Sequence, residues 1–167
     1  MYGVPRLPDK IDEWERGRIP RSLCTLTQDV AEALRVYGRL SEAPLFHAEA
    51  LAKTYIWAID PAGELKLALE ELAVQEPESK YQGYPRRRGY RHPAEERKLG
   101  HPTLLGGGPA RIAGELVQDD GTSGPHWVVN ANSGRYCKHQ SPSERQLGNV
   151  AAKFKSFGLD VMVDFND

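Results

Sequence analysis

Alternating apolar and polar positions predict a β-hairpin in the first half of the chain. Residues 54–59 are rich in aromatic and β-branched side chains, which favour strands. A turn sequence, Asp-Pro-Ala-Gly, follows at residues 60–63, and residues 65–69 then alternate leucine with lysine and alanine. This order of strand, turn and strand is typical of an antiparallel hairpin.

Helical spacing predicts two helices before the hairpin. Thr25 or Thr27 can cap the first helix, in which apolar side chains recur every three or four residues, at Val30, Leu34 and Tyr37. A second, short helix is predicted over residues 44–53. Residues 1–24 carry three prolines among mixed charges, which indicates an extended lead-in.

The best-specified helix begins after Ser143, near the end of the chain. Its hydroxyl can cap the helix while Gln146, three residues on, reaches back in a capping box. The predicted buried stripe consists of Leu147, Val150, Phe154 and Phe157. Gly158 is placed to end the helix, and alternating apolar residues over 159–165 predict a final strand.

Three further strands are predicted over residues 103–105, 111–117 and 127–130. The expected fold class is therefore α+β, with N-terminal helices followed by a mostly antiparallel sheet, a C-terminal helix and a final strand. Residues 25–167 are expected to form one domain. Within it, residues 75–100 are predicted to be a long, polar, basic loop.

Composition narrows the class of protein. The 167 residues are 40% hydrophobic, and 22 basic against 23 acidic residues give a net charge of -1, which argues against a histone-like or disordered chain. No apolar run is long enough to cross a membrane, and no secretory signal is evident. We therefore expect no membrane association and a cytoplasmic location, in the target cell if the protein is a secreted effector.

Two cysteines, Cys24 and Cys137, lie far apart without a partner motif. A disulfide scaffold and a zinc ribbon are both disfavoured. We expect neither a metal nor another cofactor.

A glycine-rich segment, residues 100–109, is the densest candidate for chemistry. Gly106, Gly107 and Gly108 would let the backbone approach a ligand closely or turn sharply. A phosphate-binding loop would require Lys-Ser or Lys-Thr and a helix after the glycines, whereas a proline and a predicted strand follow here. A wide structural turn is the alternative interpretation.

His101 is the first candidate catalytic residue, because imidazole changes charge near neutral pH. Thr103 was expected on the same strand face, and Glu115 on the neighbouring strand. Residues 133–136 follow the next strand and add Ser133, Arg135 and Tyr136. Together these side chains offer an acid or base, hydroxyls, a carboxylate and a cation; the alternative is that they are structural or solvated.

A basic segment, residues 80–92, is the second candidate. One lysine, four arginines and one histidine are interleaved with three tyrosines and no carboxylate, a pattern that suits phosphates and stacked bases. The residues expected to bind nucleic acid are Tyr84, Arg86, Arg87, Arg88, Tyr90 and Arg91. The alternative is a solvated loop balanced by the glutamates that follow.

Three segments carry a resemblance to a known domain: residues 101–107, 113–116 and 133–136. They resemble a small domain of bacterial polymorphic-toxin and effector-like proteins, which is related to part of plant IQ-motif calmodulin-binding proteins. The matching residues are His101, Gly106, Gly107, Ala113, Gly114, Ser133, Gly134 and Tyr136. Arg135 stands where the family more often has histidine, and no Ile-Gln motif is present, so calmodulin binding is not implied.

The favoured hypothesis is a toxin or effector that acts on nucleic acid or a nucleotide, most concretely a metal-independent ribonuclease. His101 would be the base, Tyr136 or Glu115 the acid, and Arg135 the group that stabilises phosphorane charge. RNA or a nucleotide and a cognate immunity protein are the expected partners. The alternatives are an NAD-dependent ADP-ribosyltransferase-like toxin, a non-catalytic module that binds protein or nucleic acid, and an immunity protein itself.

Overall fold

The computed structural model describes residues 1–73, 83–89, 97–121, 124–138 and 141–165, and it confirms the α+β fold. The α-helices are α1 (Gln28–Leu40), α2 (Pro44–Leu51) and α3 (Glu144–Ser156). The strands are β1 (Cys24–Thr25), β2 (Thr54–Ile59), β3 (Leu65–Leu69), β4 (Glu71–Ala73), β5 (Gly83–Pro85), β6 (Lys98–Leu99), β7 (Ile112–Gly121), β8 (Gly124–Val129) and β9 (Met162–Val163). Two 3-10 helices, Glu13–Glu15 and His101–Leu105, are described as well.

The larger sheet has the strand order β1-β3-β2-β7-β8-β9. Its neighbouring strands pair antiparallel except β8 and β9, which are parallel. The predicted hairpin is confirmed, because β2 pairs with β3 and places Trp57 opposite Leu67. Strand β2 is central and also pairs with β7.

Helices α1 and α3 cover one face of the larger sheet. Their caps are those expected from the sequence: Thr27 accepts a hydrogen bond from Val30 N, and Ser143 forms a reciprocal capping box with Gln146. Side chains from both helices and from this face of the sheet form the main core, which includes Leu34, Trp57, Ile59, Leu116, Leu147, Val150 and Phe154. Burial of these large apolar groups is the main stabilising contribution.

The opposite face of the larger sheet carries a smaller core and leaves room for a cavity. Small side chains such as Ala58, Ala68 and Ala113 pack there against Leu104 of the second 3-10 helix. The chain then leaves β3 and enters β4, which belongs to a separate small sheet of order β5-β4-β6. Glu70 is the one residue between β3 and β4, so it lies where the two sheets meet.

The expected strand at residues 103–105 is wrong, because residues 101–105 form a 3-10 helix. Pro102 occupies the first turn, where its missing N–H and fixed φ suit a helix start. Gly106, with φ 58°, ends the helix in the left-handed region, which glycine adopts without strain. Of the predicted final strand over 159–165, only Met162–Val163 pairs in the sheet.

Candidate active site

A cavity of about 590 Å³ lies on the face of the larger sheet opposite α1 and α3. We call it the main cavity. Its walls include Glu70, His101, Glu115, Ser133 and Arg135, which are distant in sequence. The structure therefore brings four of the six predicted catalytic residues together, and it adds Glu70.

Strand register explains why Glu70 and Glu115 face the same space. Ile56 on β2 pairs with Ala68 on one side and with Glu115 on the other. Residues directly opposite in a sheet point to the same face, as do residues two apart along a strand. Glu70 is two residues from Ala68, and its backbone N–H still bonds to Thr54 O at 2.8 Å, so both carboxyl groups leave the same face.

Glu70 is held in its ionised form by two cations from the small sheet. Its carboxylate accepts hydrogen bonds from Lys98 Nζ and Arg86 Nη1, both at 2.9 Å, and its side chain is only 5% exposed. Burial alone would raise the pKa of Glu70, but the positive charges of Lys98 and Arg86 outweigh burial and hold that pKa below its ordinary value.

The pKa of Glu115 is shifted in the opposite direction, above its ordinary value. Burial raises the pKa of its carboxyl, and the negative charge of Glu70 raises it further, against a hydrogen bond from Asn130 that favours the ionised form. The backbone N–H of Glu115 also donates to Asn130 Oδ1 at 3.1 Å, which fixes this part of β7. Two carboxyl groups whose pKa values are driven apart are an arrangement that recurs at general acid–base sites.

His101, expected from the sequence to be the base, lines the main cavity. Its Nε2 lies 2.9 Å from Gly114 O, and because a carbonyl only accepts, this nitrogen carries the proton. Burial lowers the pKa of His101 to about 4. The imidazole is therefore neutral near pH 7 and only weakly basic, and its bond to Gly114 joins the second 3-10 helix to β7.

The N-terminal lead-in fixes Arg135. The guanidinium contacts the Asp12 carboxylate, donates to Lys10 O at 2.9 Å, and lies 3.5 Å from Glu15 Oε2. Hydrogen bonds from Lys10 and Arg135 keep the pKa of Asp12 below its ordinary value despite burial. Arg135 thus contributes charge to the wall of the main cavity from a fixed position.

Glu15 connects the lead-in to the segment that carries His101. Its buried carboxylate accepts hydrogen bonds from Asp12 N at 2.7 Å and from Gly100 N at 2.9 Å. The first 3-10 helix therefore positions both Arg135 and the residue before His101. From the predicted lead-in over residues 1–24, Glu15 thus lines the main cavity.

Ser133 offers a polar atom for a ligand. The side chain is 3% exposed and lines the main cavity. None of the described residues forms a hydrogen bond with its Oγ. Because a buried hydroxyl normally has a partner, Ser133 is a candidate contact for a molecule in the main cavity.

Thr103, Tyr136 and the three glycines do not line the main cavity. Thr103 Oγ1 donates to Gly100 O, and Tyr136 Oη donates to Gly108 O, each at 2.7 Å. Gly106 and Gly107 have φ of 58° and 81° and shape the turn after the second 3-10 helix. The structure gives these residues a role in the fold around the cavity.

The basic segment is only partly within the described residues. Tyr90, Arg91 and the side chain of Tyr84 lie outside them. Arg86 bonds to Glu70, and Arg87 bonds to Glu49 on α2 at 3.1 Å. Arg88 is exposed. Two of the described arginines are thus engaged by carboxylates, and the positive charge of Arg88 acts on Glu115.

Sequence reasoning missed Glu70, Glu15 and Lys98 as residues of the site. Glu70 carried one signal, since it breaks the apolar alternation of β3 with a carboxylate followed by a second one. Glu15 and Lys98 carried none, because their places in the wall follow from contacts between distant segments.

Comparisons with protein-family models, with curated proteins and with solved structures find no match to this chain. None of the helices in the described ranges has the length and apolar character needed to cross a membrane. In the same ranges, no group of three or more His, Cys, Asp or Glu side chains is arranged to hold a metal ion.

Proposed function

We propose that the chain is an enzyme of the bacterial toxin or effector type that acts on a nucleotide or nucleic acid in the main cavity. The observation that carries the proposal is the pair Glu70 and Glu115, which line one cavity with pKa values moved in opposite directions. The volume of about 590 Å³ suits a nucleotide-sized ligand. The segments that resemble toxin domains supply His101, Ser133 and Arg135 to the same wall.

The carboxyl pair favours cleavage of an N-glycosidic bond of a nucleotide, the chemistry of the transferase alternative. With a purine nucleotide, Glu115 in its protonated form gives a proton to the departing base, whereas nicotinamide leaves NAD as a neutral molecule and needs none. With either ligand, ionised Glu70 stabilises positive charge on the ribose in the transition state. Glu115, now ionised, takes a proton from the water or other nucleophile that attacks the ribose.

Ribonuclease activity is a second candidate, favoured by three cations, Lys98, Arg135 and Lys138, which line the same cavity as Glu115. In that reaction Glu115, rather than His101, takes the proton of the 2′-hydroxyl and returns it to the departing 5′-oxygen. Lys98 and Arg135 stabilise the charge on phosphorus in the transition state.

The test incubates purified protein with NAD, with ATP and with structured RNA. Release of the free base is followed by chromatography, and strand cleavage is followed on gels. Glu115→Gln is expected to lower the rate at least about a hundredfold, whereas His101→Gln, which keeps a donor for Gly114, retains most of it. Glu64→Gln, at an exposed position of the hairpin turn, is the matched control.

Release of a base supports glycosidic cleavage, and cleaved RNA without base release supports the ribonuclease. A reaction that is unchanged in Glu115→Gln would overturn the proposal. So would the lack of any reaction by wild type, and the non-catalytic binding module would then become the preferred function.

A further inference from the structure

A second concave surface lies beside the main cavity. Its volume is about 490 Å³, and its lining residues are Glu13, Trp14, Arg16, Arg18 and Arg97. We call it the Trp14 groove. It was not among the candidates found in the sequence, because residues 13–18 and residue 97 are 79 or more positions apart.

The composition of the Trp14 groove fits a nucleotide. Three guanidinium groups and one carboxylate give its lining residues a net positive charge. Guanidinium groups bind phosphate through paired hydrogen bonds, and an indole ring stacks on any nucleobase. Trp14 is half-buried, and its Nε1–H donates to Lys98 O at 3.4 Å, which orients the ring before a ligand arrives.

The Trp14 groove and the main cavity share the same two segments of chain. Trp14 and Arg97 line the groove, while the next residue in each case, Glu15 and Lys98, lines the main cavity. Successive side chains of each segment are therefore divided between the two concave surfaces.

We propose that the Trp14 groove is a second nucleotide subsite, which stacks a nucleobase on Trp14 and holds an adjacent phosphate with Arg16 and Arg97. As part of an enzyme site it rests on the function proposed above for the main cavity. The ligand chemistry, a base with its phosphate, is shared by a dinucleotide such as NAD and by an RNA strand.

The experiment measures equilibrium binding rather than activity. A fluorescent oligoadenylate and unlabelled NAD are each titrated against wild type and variants, and thermal melting verifies that each variant is folded. The double variant Arg16→Gln/Arg97→Gln is expected to bind at least about tenfold more weakly, as is Trp14→Leu. The matched control, Arg35→Gln/Arg39→Gln on α1, changes the charge equally and is expected to bind like wild type.

Binding that is lost in the groove variants but not in the control supports the proposal. The ligand whose titration shows this loss, NAD or the oligonucleotide, is the kind that the groove binds. For the oligonucleotide, the slope of affinity with salt is expected to fall by about one in the double variant, because both guanidinium groups hold one phosphate. If the groove variants bind like wild type, or if the control variant loses as much affinity as they do, the proposal that the Trp14 groove is a nucleotide subsite is overturned.

Glu115→Gln separates the groove from the catalytic proposal. Because Glu115 does not line the Trp14 groove, Arg16→Gln/Arg97→Gln is expected to weaken binding by the same factor in the Glu115→Gln background as in wild type. If binding depends on the groove while no reaction depends on Glu115, the catalytic proposal fails and the subsite stands. If the reaction depends on Glu115 while the groove variants bind normally, only the subsite fails.

Discussion

Folding stability is expected to fall as pH is lowered from about 7 to about 5, because His101 is buried without a charge. The unfolded chain binds a proton at this imidazole as pH drops below its ordinary pKa of 6.5, whereas the folded chain binds one only near its lowered pKa of about 4. A depressed folded-state pKa gives stability that is present above 6.5 and lost as pH falls. His101→Gln removes this titration and keeps a side-chain donor for Gly114 O.

The size of the effect follows from the two pKa values. With 6.5 in the unfolded chain and about 4 in the folded chain, the linkage relation gives a loss of about 2 kcal/mol between pH 7 and pH 5. This loss is the difference expected between wild type and His101→Gln, since other titrating groups contribute equally to both. It would approach about 3 kcal/mol near pH 4.

Urea unfolding at each pH measures this difference directly. His47→Gln is the informative control, because hydrogen bonds to Ser41 O and to Asp120 raise the pKa of His47. A raised pKa gives stability that is present below 6.5 and lost as pH rises, so His47→Gln should shift the pH dependence in the opposite direction. Equal pH dependence in wild type and His101→Gln would refute a neutral, buried His101 and reopen its assignment as the base.

Two further predictions concern residues that shape the wall of the main cavity. Gly114→Ala should lower the melting temperature, because an added Cβ would lie 2.0 Å from Asn130 O. The control Gly134→Ala should melt like wild type, because a Cβ at that position meets nothing within 4 Å. Equal melting temperatures for the two variants would contradict this prediction. Glu15→Ala should lower the free energy of unfolding in urea by about 3 kcal/mol, since two backbone N–H groups lose a charged acceptor. Exposed Glu13→Ala should change it by less than about 0.5 kcal/mol, and a Glu15→Ala loss below about 1 kcal/mol would contradict the anchoring role.

Local signals account for the parts of the fold that the sequence predicted well. The capping box at Ser143, the cap at Thr27 and the turn at residues 60–63 each act within a few residues. Such interactions can be recognised without knowing what the segment later contacts. The segment at residues 103–105 was wrongly predicted to be a strand, because it has too few apolar residues to show a period. The proline before it and Gly106 after it favour the helical turn that the structure shows.

The candidate site was less accessible to sequence reasoning. His101, Glu115, Ser133 and Arg135 were expected to converge, and they line one cavity. Glu70, whose charge raises the pKa of Glu115, was missed. It joins the site only because two sheets meet at its position. Whether a histidine is exposed and basic or buried and neutral also depends on tertiary packing, which no local pattern reports.

The residues that line the main cavity come from both early and late parts of the sequence, and this determines when the cavity can form during synthesis. Glu15 comes from the first 3-10 helix, whereas Asp164 and Phe165 follow β9, and all three line the same space. A nascent chain carries Glu70 and Glu115 long before residue 165 is added at the ribosome. Contacts between segments so distant in sequence form late, so the enclosure cannot close before residue 165 has been added to the chain.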